Sequence, residues 1–369
     1  MNEITILGID LAKNTFQLIG VDKHHKVVMK RRCHREKLIE IVRNLPKCQI
    51  LMEACGTSNY WGREFELMGH EAKLISPQHV TPYVSNHKND YKDTEAIIEA
   101  GTRPRTKFVA IKTIEQQDMQ SILRVRERLV GNRISLSNQM RGLLLEYGIV
   151  VVKGFASLKL KVNELLEDTN QQLTMQMKET IADCYDEFKE LSKRIETYDK
   201  KIEAISNQNA YCKSLKSIPG VGAISATALY ASLGNGSQFK NGREMAAHIG
   251  LVPKQHSSGD KQLLLGITKK GNTDLKQLLI HGARAVVPHA HKKTDKRSAW
   301  IIKLTAKKHT NVVATALANR TARIAWVVLQ TGKSYNPDFY GADKGEASSP
   351  QVDNSPHNNG GAQELSTCG

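Results

Sequence analysis

Ile4-Thr5-Ile6-Leu7-Gly8-Ile9-Asp10-Leu11-Ala12-Lys13 is the stretch that decides the fold. Its β-branched, apolar run predicts a buried strand, and that strand ends on an acid. Thr15-Phe16-Gln17-Leu18-Ile19-Gly20-Val21 reads as a second strand, and His25 to Lys30, with Val27, Val28 and Met29, as a third. A helix is expected over about 34–44, since Leu38, Ile41, Val42 and Leu45 share one face. A strand at Gln49-Ile50-Leu51-Met52, a helix near 58–68 and a strand at Glu71-Ala72-Lys73-Leu74-Ile75 follow, with Pro77 as punctuation. With a helix after it, the order βββ-α-β-α-β-α implies a mixed α/β sheet covered by helices.

Beyond residue 110 the pattern turns helical. Residues 112–147 are basic, with Arg124, Arg126, Arg128, Arg133 and Arg141. Ile181, Cys184, Phe188, Leu191, Ile195, Tyr198, Ile202 and Ile205 then recur at alternating spacings of three and four, a heptad seam. The seam reads as a coiled coil, closing either as a hairpin with 158–177 or between two chains. The expected division is a sheet domain over 1–110, a helical, coiled-coil and oligomerisation segment over 111–212, a mostly α domain over 213–330, and a tail over 331–369 whose lack of apolar periodicity predicts disorder.

Charge narrows the partner. The chain of 369 residues carries a net +16. Residues 251–330 hold 15 Lys and Arg against three Asp and no Glu, a net +12 in about a fifth of the length. Such concentration suits a polyphosphate, because each neutralised phosphate releases counterions; a solvated surface is the plainer explanation. Six cysteines without a C-x-x-C pair fit a reducing cytoplasm. No apolar run reaches membrane length, and Met1-Asn2-Glu3-Ile4-Thr5 is not a signal pattern. No G-x-x-x-x-G-K-[ST] supports nucleotide hydrolysis.

Four acids stand out. Asp10 and Glu53 each end a strand, in Gly8-Ile9-Asp10 and Leu51-Met52-Glu53-Ala54-Cys55-Gly56. Asp90 and Asp93, in Lys88-Asn89-Asp90-Tyr91-Lys92-Asp93-Thr94, are spaced to share a helical face. An acid after a strand also serves as a turn or cap residue, and an i, i+3 acid pair as a solvated face. Converging carboxylates without His or Cys are hard oxygen ligands suited to Mg²⁺, and two such ions serve phosphodiester chemistry.

Gly8-Ile9-Asp10-Leu11-Ala12-Lys13, Glu53-Ala54-Cys55-Gly56 and Lys88-Asn89-Asp90-Tyr91-Lys92-Asp93 together resemble the DEDD transposases of bacterial insertion sequences, a group that includes the Piv DNA invertase. The resemblance implies an RNase H-like, RuvC-like domain in which Asp10, Glu53, Asp90 and Asp93 bind Mg²⁺, with two ions possible and Mn²⁺ able to substitute. Thr94 departs from the family's more usual Ala.

The second half extends the resemblance. Ser217-Ile218-Pro219-Gly220-Val221-Gly222 precedes an apolar helix and looks like a helix-hairpin-helix turn, whose backbone N–H groups hold a phosphate; a plain helix–helix turn is the alternative. Gly250-Leu251-Val252-Pro253, Ser258-Gly259 and Ile267-Thr268-Lys269-Lys270-Gly271-Asn272 follow in the order typical of the same transposases. There the serine before this glycine is the nucleophile, which maps to Ser258, with Ser257 adjacent. Lys269 and Lys270 precede a turn where Asn272 or Thr273 caps the next helix, a potential anion site. Lys13, Gly220, Gly222, Lys254, Lys261, Lys269, Lys270 and Asn272 are the expected nucleic-acid contacts. His289-Ala290-His291 reads as a basic loop before a metal site, and Trp61, Trp300 and Trp326 as packing residues.

The expectation is therefore a site-specific recombinase of an insertion sequence that cuts and rejoins DNA through a metal site and a transient phosphoserine link. The family implies a structured guide (bridge) RNA, a dimer or tetramer acting on two duplexes, no membrane, and a bacterial cytoplasm with nucleoid association when DNA is bound. A RuvC-like nuclease hydrolysing junctions without the serine is the alternative. An actin-like ATPase is disfavoured by Ala12, where a Gly is usual, and a non-catalytic DNA-binding protein leaves the acids unused.

Overall fold

The computed structural model describes residues 3–84, 90–167, 172–258 and 261–337, with the side chains of Asp90, Ser257, Ser258, Lys261 and Gln262 outside that description. Of the tail expected to be disordered over 331–369, residues 331–337 are described, Tyr335 N–H donating to Ser217 Oγ (2.7 Å), and the rest lies outside the described residues. Strands β1 (Ile6–Asp10), β2 (Thr15–Val21) and β3 (Val27–His34) lead into helix α1 (Arg35–Arg43). Strand β4 (Gln49–Glu53), helix α2 (Ser58–Leu67) and strand β5 (Glu71–Ile75) follow. A one-turn α3 (Pro77–Val80), helix α4 (Asp90–Thr102) and a two-residue β6 (Phe108–Val109) complete the unit.

The sheet order is β3-β2-β1-β4-β5-β6. β1–β2 and β2–β3 are antiparallel, β1–β4 and β4–β5 parallel, and β5–β6 antiparallel. This mixed α/β sheet is consistent with an RNase H-like fold. Alternation sorts the side chains. Leu7, Ile9, Ile50, Met52 and Leu74 join Trp61 and Phe65 of α2 and Leu38 and Val42 of α1 in one core. Leu51 and Ile75 point the other way, to Ala96, Ile97 and Ala100 of α4. The third strand runs to His34 rather than stopping at Lys30. Its Lys30-Arg31-Arg32 segment pairs with β2 while exposing its side chains, as a basic edge strand does.

Two glycines let α4 lie directly on the sheet. A Cβ at Gly8 would sit 2.5 Å from Ile98 Cγ1, and one at Gly101 would sit 2.4 Å from Leu51 Cδ1. Both positions need a hydrogen where any other residue has carbon.

Helices α5 (Ile114–Leu145), α6 (Phe155–Glu167) and α7 (Met175–Gln208) form the next unit. α5 and α7 run antiparallel, as Arg126 pairs with Asp199, Arg133 reaches Ser192 and Tyr147 meets Thr174. Ile181, Phe188, Leu191 and Ile195 of the seam are buried here with Leu129, Leu136, Met140 and Leu144 of α5 and Leu158, Val162 and Leu165 of α6. The seam is therefore covered within the chain, and α5 is its long partner where the sequence suggested 158–177.

The last unit holds α8 (Ala210–Lys216), α9 (Ala223–Leu233), α10 (Gly242–Ile249), strands β7 (Pro253–Ser258) and β8 (Lys261–Ile267), then α11 (Thr273–Val286), α12 (Lys296–Thr305) and α13 (Thr310–Thr331). α13 is, among the described residues, the one helix long and apolar enough to cross a membrane, yet half of that window is buried. Val313, Leu317, Ala318, Ala322 and Val328 pack it into the core of this unit. The β7–β8 hairpin is a strand pair that the mostly α reading of 213–330 did not include.

Candidate active site

Asp10 and Glu53 reach one edge of the sheet because β1 and β4 are parallel neighbours. Their register ends with Ile9 opposite Met52, so the next residues, Asp10 and Glu53, emerge side by side. Alternation from Gly8 and Leu51 turns both towards the α4 side. α4 crosses that face with Thr94 fully buried and Asp93 beside it, half-buried like Asp10 and Glu53. Asp90 is the first residue of α4, one turn before Asp93. The loop after Glu53 is pinned by Ala54 N–H donating to Ile75 O (2.8 Å) and Ser58 Oγ–H donating to Cys55 O (2.9 Å).

Electrostatics shows that the acids feel one another. Burial pushes the Glu53 carboxyl above its ordinary pKa, and the negative charges of Asp10 and Asp93 raise it further. Among the described residues no three such side chains already stand at ion-holding distance. Their chemistry nevertheless fits a divalent cation: the donors are all hard oxygens, and a positive charge among them relieves the repulsion held in Glu53. Lys13, exposed in the turn after β1, lies three residues beyond Asp10.

Ser258 ends β7 at the tip of the hairpin, paired in register with Lys261. β7 and β8 pack chiefly on each other. Leu263, Leu264 and Leu265 of β8 are exposed. At the hairpin's base, Gly250 (φ +85°) and Gly271 (φ +96°) meet back to back, where a Cβ on Gly271 would lie 2.6 Å from Gly250 N. Lys276 Nζ donates to Thr268 O and Lys270 O (both 3.0 Å), which fixes the turn and leaves Lys269 and Lys270 exposed. Asn272 caps α11, its Oδ1 accepting from Leu275 N–H (3.1 Å). Lys254 is exposed on β7.

The 217–222 turn has a structural anchor that the sequence did not reveal. Gly220 (φ +90°) touches α11 at Gly282, where a Cβ on Gly282 would fall 1.9 Å from Gly220 O. Arg297, 3% exposed, donates from Nη2 to Pro219 O (3.0 Å) and Thr321 Oγ1 (3.2 Å). In a run of Lys and Arg nothing distinguishes this buried arginine. Gly222 is exposed and begins α9 without a side-chain cap, leaving the first N–H groups of that helix open.

Two family models match the chain. One, described as the Transposase IS116/IS110/IS902 family, covers residues 212–299. The other, a DEDD model of IS110 type described as Transposase, covers residues 7–149. The chain is 44% identical over 335 residues to the transposase for insertion sequence element IS1111A of Coxiella burnetii, spanning 91% of this chain and 92% of the relative. It is 44% identical over 332 residues to a probable family 20 transposase of Pseudomonas aeruginosa, spanning 90% and 98%. A more distant match, 22% identical over 74% of this chain and 80% of the relative, is a pilin gene-inverting protein of Moraxella bovis.

Proposed function

Because the chain belongs to the IS110/IS116 family of DEDD transposases, enzymes of insertion sequences that act on DNA, we propose that its strand cleavage and transfer use a site in two parts. Asp10, Glu53, Asp90 and Asp93 hold Mg²⁺, as one ion or two, and Mn²⁺ substitutes. The ion, when bound, supplies positive charge for the scissile phosphate and the leaving oxygen. Ser258 supplies the nucleophile. Its Oγ forms a bond to phosphorus while the bond to the 3′ oxygen breaks; the serine proton is lost and the 3′ oxygen leaves as a hydroxyl. A second 3′ hydroxyl then attacks the phosphoserine, restores a phosphodiester and frees the serine, so no ATP is consumed.

The observation that supports this reading is the register that sets Asp10 beside Glu53 on the face crossed by α4, which carries Asp93. The hairpin tip reaches the acids by movement of its unit or from a second subunit. The heptad seam is already covered, so a dimer or tetramer acting on two duplexes uses other surfaces. Backbone contacts fall to Lys13, Lys254, Lys261, Lys269, Lys270, the Asn272-capped turn, and the 217–222 turn with Gly220 and Gly222, acting as a helix-hairpin-helix. Family membership and the +12 of residues 251–330 also support a structured guide RNA bridging donor and target DNA. The enzyme then works in the bacterial cytoplasm, on the nucleoid when DNA is bound.

The test is amplification of the excised-circle junction from cells carrying the gene with its native flanks, comparing wild type, Ser258→Ala and Asp10→Ala at matched protein levels. Loss in both variants is expected. Circles from Ser258→Ala but not Asp10→Ala would remove the serine from the mechanism and leave a metal-dependent activity of the RuvC type. RNA guidance predicts a discrete RNA on the purified protein, and full recombination after nuclease treatment would refute it.

A further inference from the structure

The basic helix α5 has a use that strand cleavage does not absorb. Where α5 passes the start of α6, a cavity of about 390 Å³ opens between Ile134, Asn138 and Arg141 on one side and Lys153, Gly154 and Phe155 on the other. Its volume falls in the range of small-ligand sites, about 300–1,000 Å³. No acid lines it. Arg141 is fixed at its base, donating from Nη2 to Gly154 O (2.7 Å) and from Nη1 to Ser137 O (3.1 Å), while its Nε is buried without a partner. Lys153 is exposed. Phe155 forms an aromatic wall, 37% exposed. It is braced by the Arg133 guanidinium 4.5 Å from the ring centroid and by the tilted ring of Phe188 at 5.5 Å. α6 begins at this point with no acid in its first turn.

We propose that this cavity receives one unpaired nucleotide of a nucleic-acid strand, its base against Phe155 and Ile134 and its phosphate on Lys153 and Arg141. Cations beside an aromatic wall are the chemistry of single-strand binding, since every base has a π-face and every phosphate a charge. A duplex keeps its bases stacked inside and cannot fill the apolar wall. Asn138, an exposed residue, carries a donor and an acceptor for a base edge. The inference rests on nucleic acid being the partner, and it adds a site remote from the four acids.

The experiment uses the full chain and fluorescence anisotropy with three labelled probes: a short oligouridine, the matching oligothymidine and a duplex. Phe155→Leu keeps the apolar contact with Phe188 and removes the aromatic face; it is expected to weaken single-strand binding about tenfold. Lys153→Gln, on an exposed side chain, is expected to reduce the salt slope of single-strand binding by about 0.7, the value of one phosphate. Duplex affinity and thermal melting stay at wild-type values in both variants, and Phe155→Tyr restores binding. The oligouridine and oligothymidine arms tell an RNA occupant from a DNA one. Single-strand affinity and salt slope unchanged in both variants would overturn the proposal, as would wild-type protein that binds the duplex and neither single strand. Protein that binds none of the three probes contradicts the transposase reading itself, a separate result.

Discussion

Gly8→Ala is the most informative single substitution in the sheet domain. The added Cβ would stand 2.5 Å from Ile98 Cγ1, 2.8 Å from Ile98 Cδ1 and 3.2 Å from Thr94 O. Carbon atoms rest about 3.5–4.0 Å apart, so α4 or the Ile98 side chain must yield by about 1 Å. Overpacking of this kind costs about 1–3 kcal/mol. The Thr94 carbonyl belongs to the backbone of α4, so part of the strain moves the helix and carries Asp93 and Asp90 away from Asp10. Misplacement of catalytic groups by 1 Å is able to cost about a hundredfold in rate. Thermal melting followed by circular dichroism, with junction amplification on the same samples, reads both effects. Gly8→Ala with Ile98→Ala should recover part of both, because the second change removes the side-chain half of the clash and leaves the carbonyl contact. A Gly8→Ala protein with wild-type melting and wild-type circle yield refutes the argument that this glycine sets the height of α4 above the sheet.

Three further outcomes follow from particular contacts. His70 is buried, its Nε2 against Val42 O (3.1 Å) and its Nδ1 against Cys48 N (3.3 Å), and burial holds its pKa below the ordinary 6.5. The folded state therefore binds this proton less readily than the unfolded chain. Stability is full above about pH 6.5 and falls as pH drops through the depressed value; urea melts at several pH values should show it, and His70→Gln should flatten the slope. Asn272→Ala removes the cap on α11 and should cost about 0.5–2 kcal/mol, read from the urea midpoint; no change would mean the turn is held by Lys276 alone. In Asp10→Asn, loss of one neighbouring charge should lower the Glu53 pKa while leaving it raised, since burial is the larger cause; carboxyl-carbon titration by NMR without divalent ions would measure it.

The sheet was legible because its signals are local and mutually consistent. Alternation in Leu7-Gly8-Ile9-Asp10 and Leu51-Met52-Glu53 specifies both the strand and the side each acid takes. The seam of α7 was legible as a face, but periodicity does not name what covers a face, and the partner proved to be α5. The β7–β8 hairpin escaped because Lys261-Gln262-Leu263-Leu264-Leu265-Gly266-Ile267 has no alternation; its leucines project from a two-stranded ribbon with no core to sort them. β6 is two residues long, below any periodic signal. In the candidate site, Asp10 and Glu53 were read from strand ends, and Asp90 and Asp93 from helical spacing and family resemblance. Gly8, Gly101, Gly282 and Arg297 were not, because their roles are close approaches between segments far apart in sequence.

The unbroken length of α5 has a consequence of its own. Its start is clamped on two sides: Lys112 N–H, just before the helix, donates to Asn59 Oδ1 (2.9 Å) in the sheet domain, and Gln116 Nε2 donates to Tyr230 O (3.0 Å) in α9. From that clamp the helix runs 32 residues, about 48 Å at 1.5 Å per residue, and α7 stiffens it along the way. Asn138 therefore stands about 33 Å out from Gln116, close to ten base steps at 3.4 Å each. The helix acts as a ruler: a strand gripped near its far end is measured off from the clamp by almost one turn of a double helix. Inserting a single residue into α5 would turn the far end by about 100° while lengthening it by only 1.5 Å, so the phase of the grip is set far more strictly than its distance.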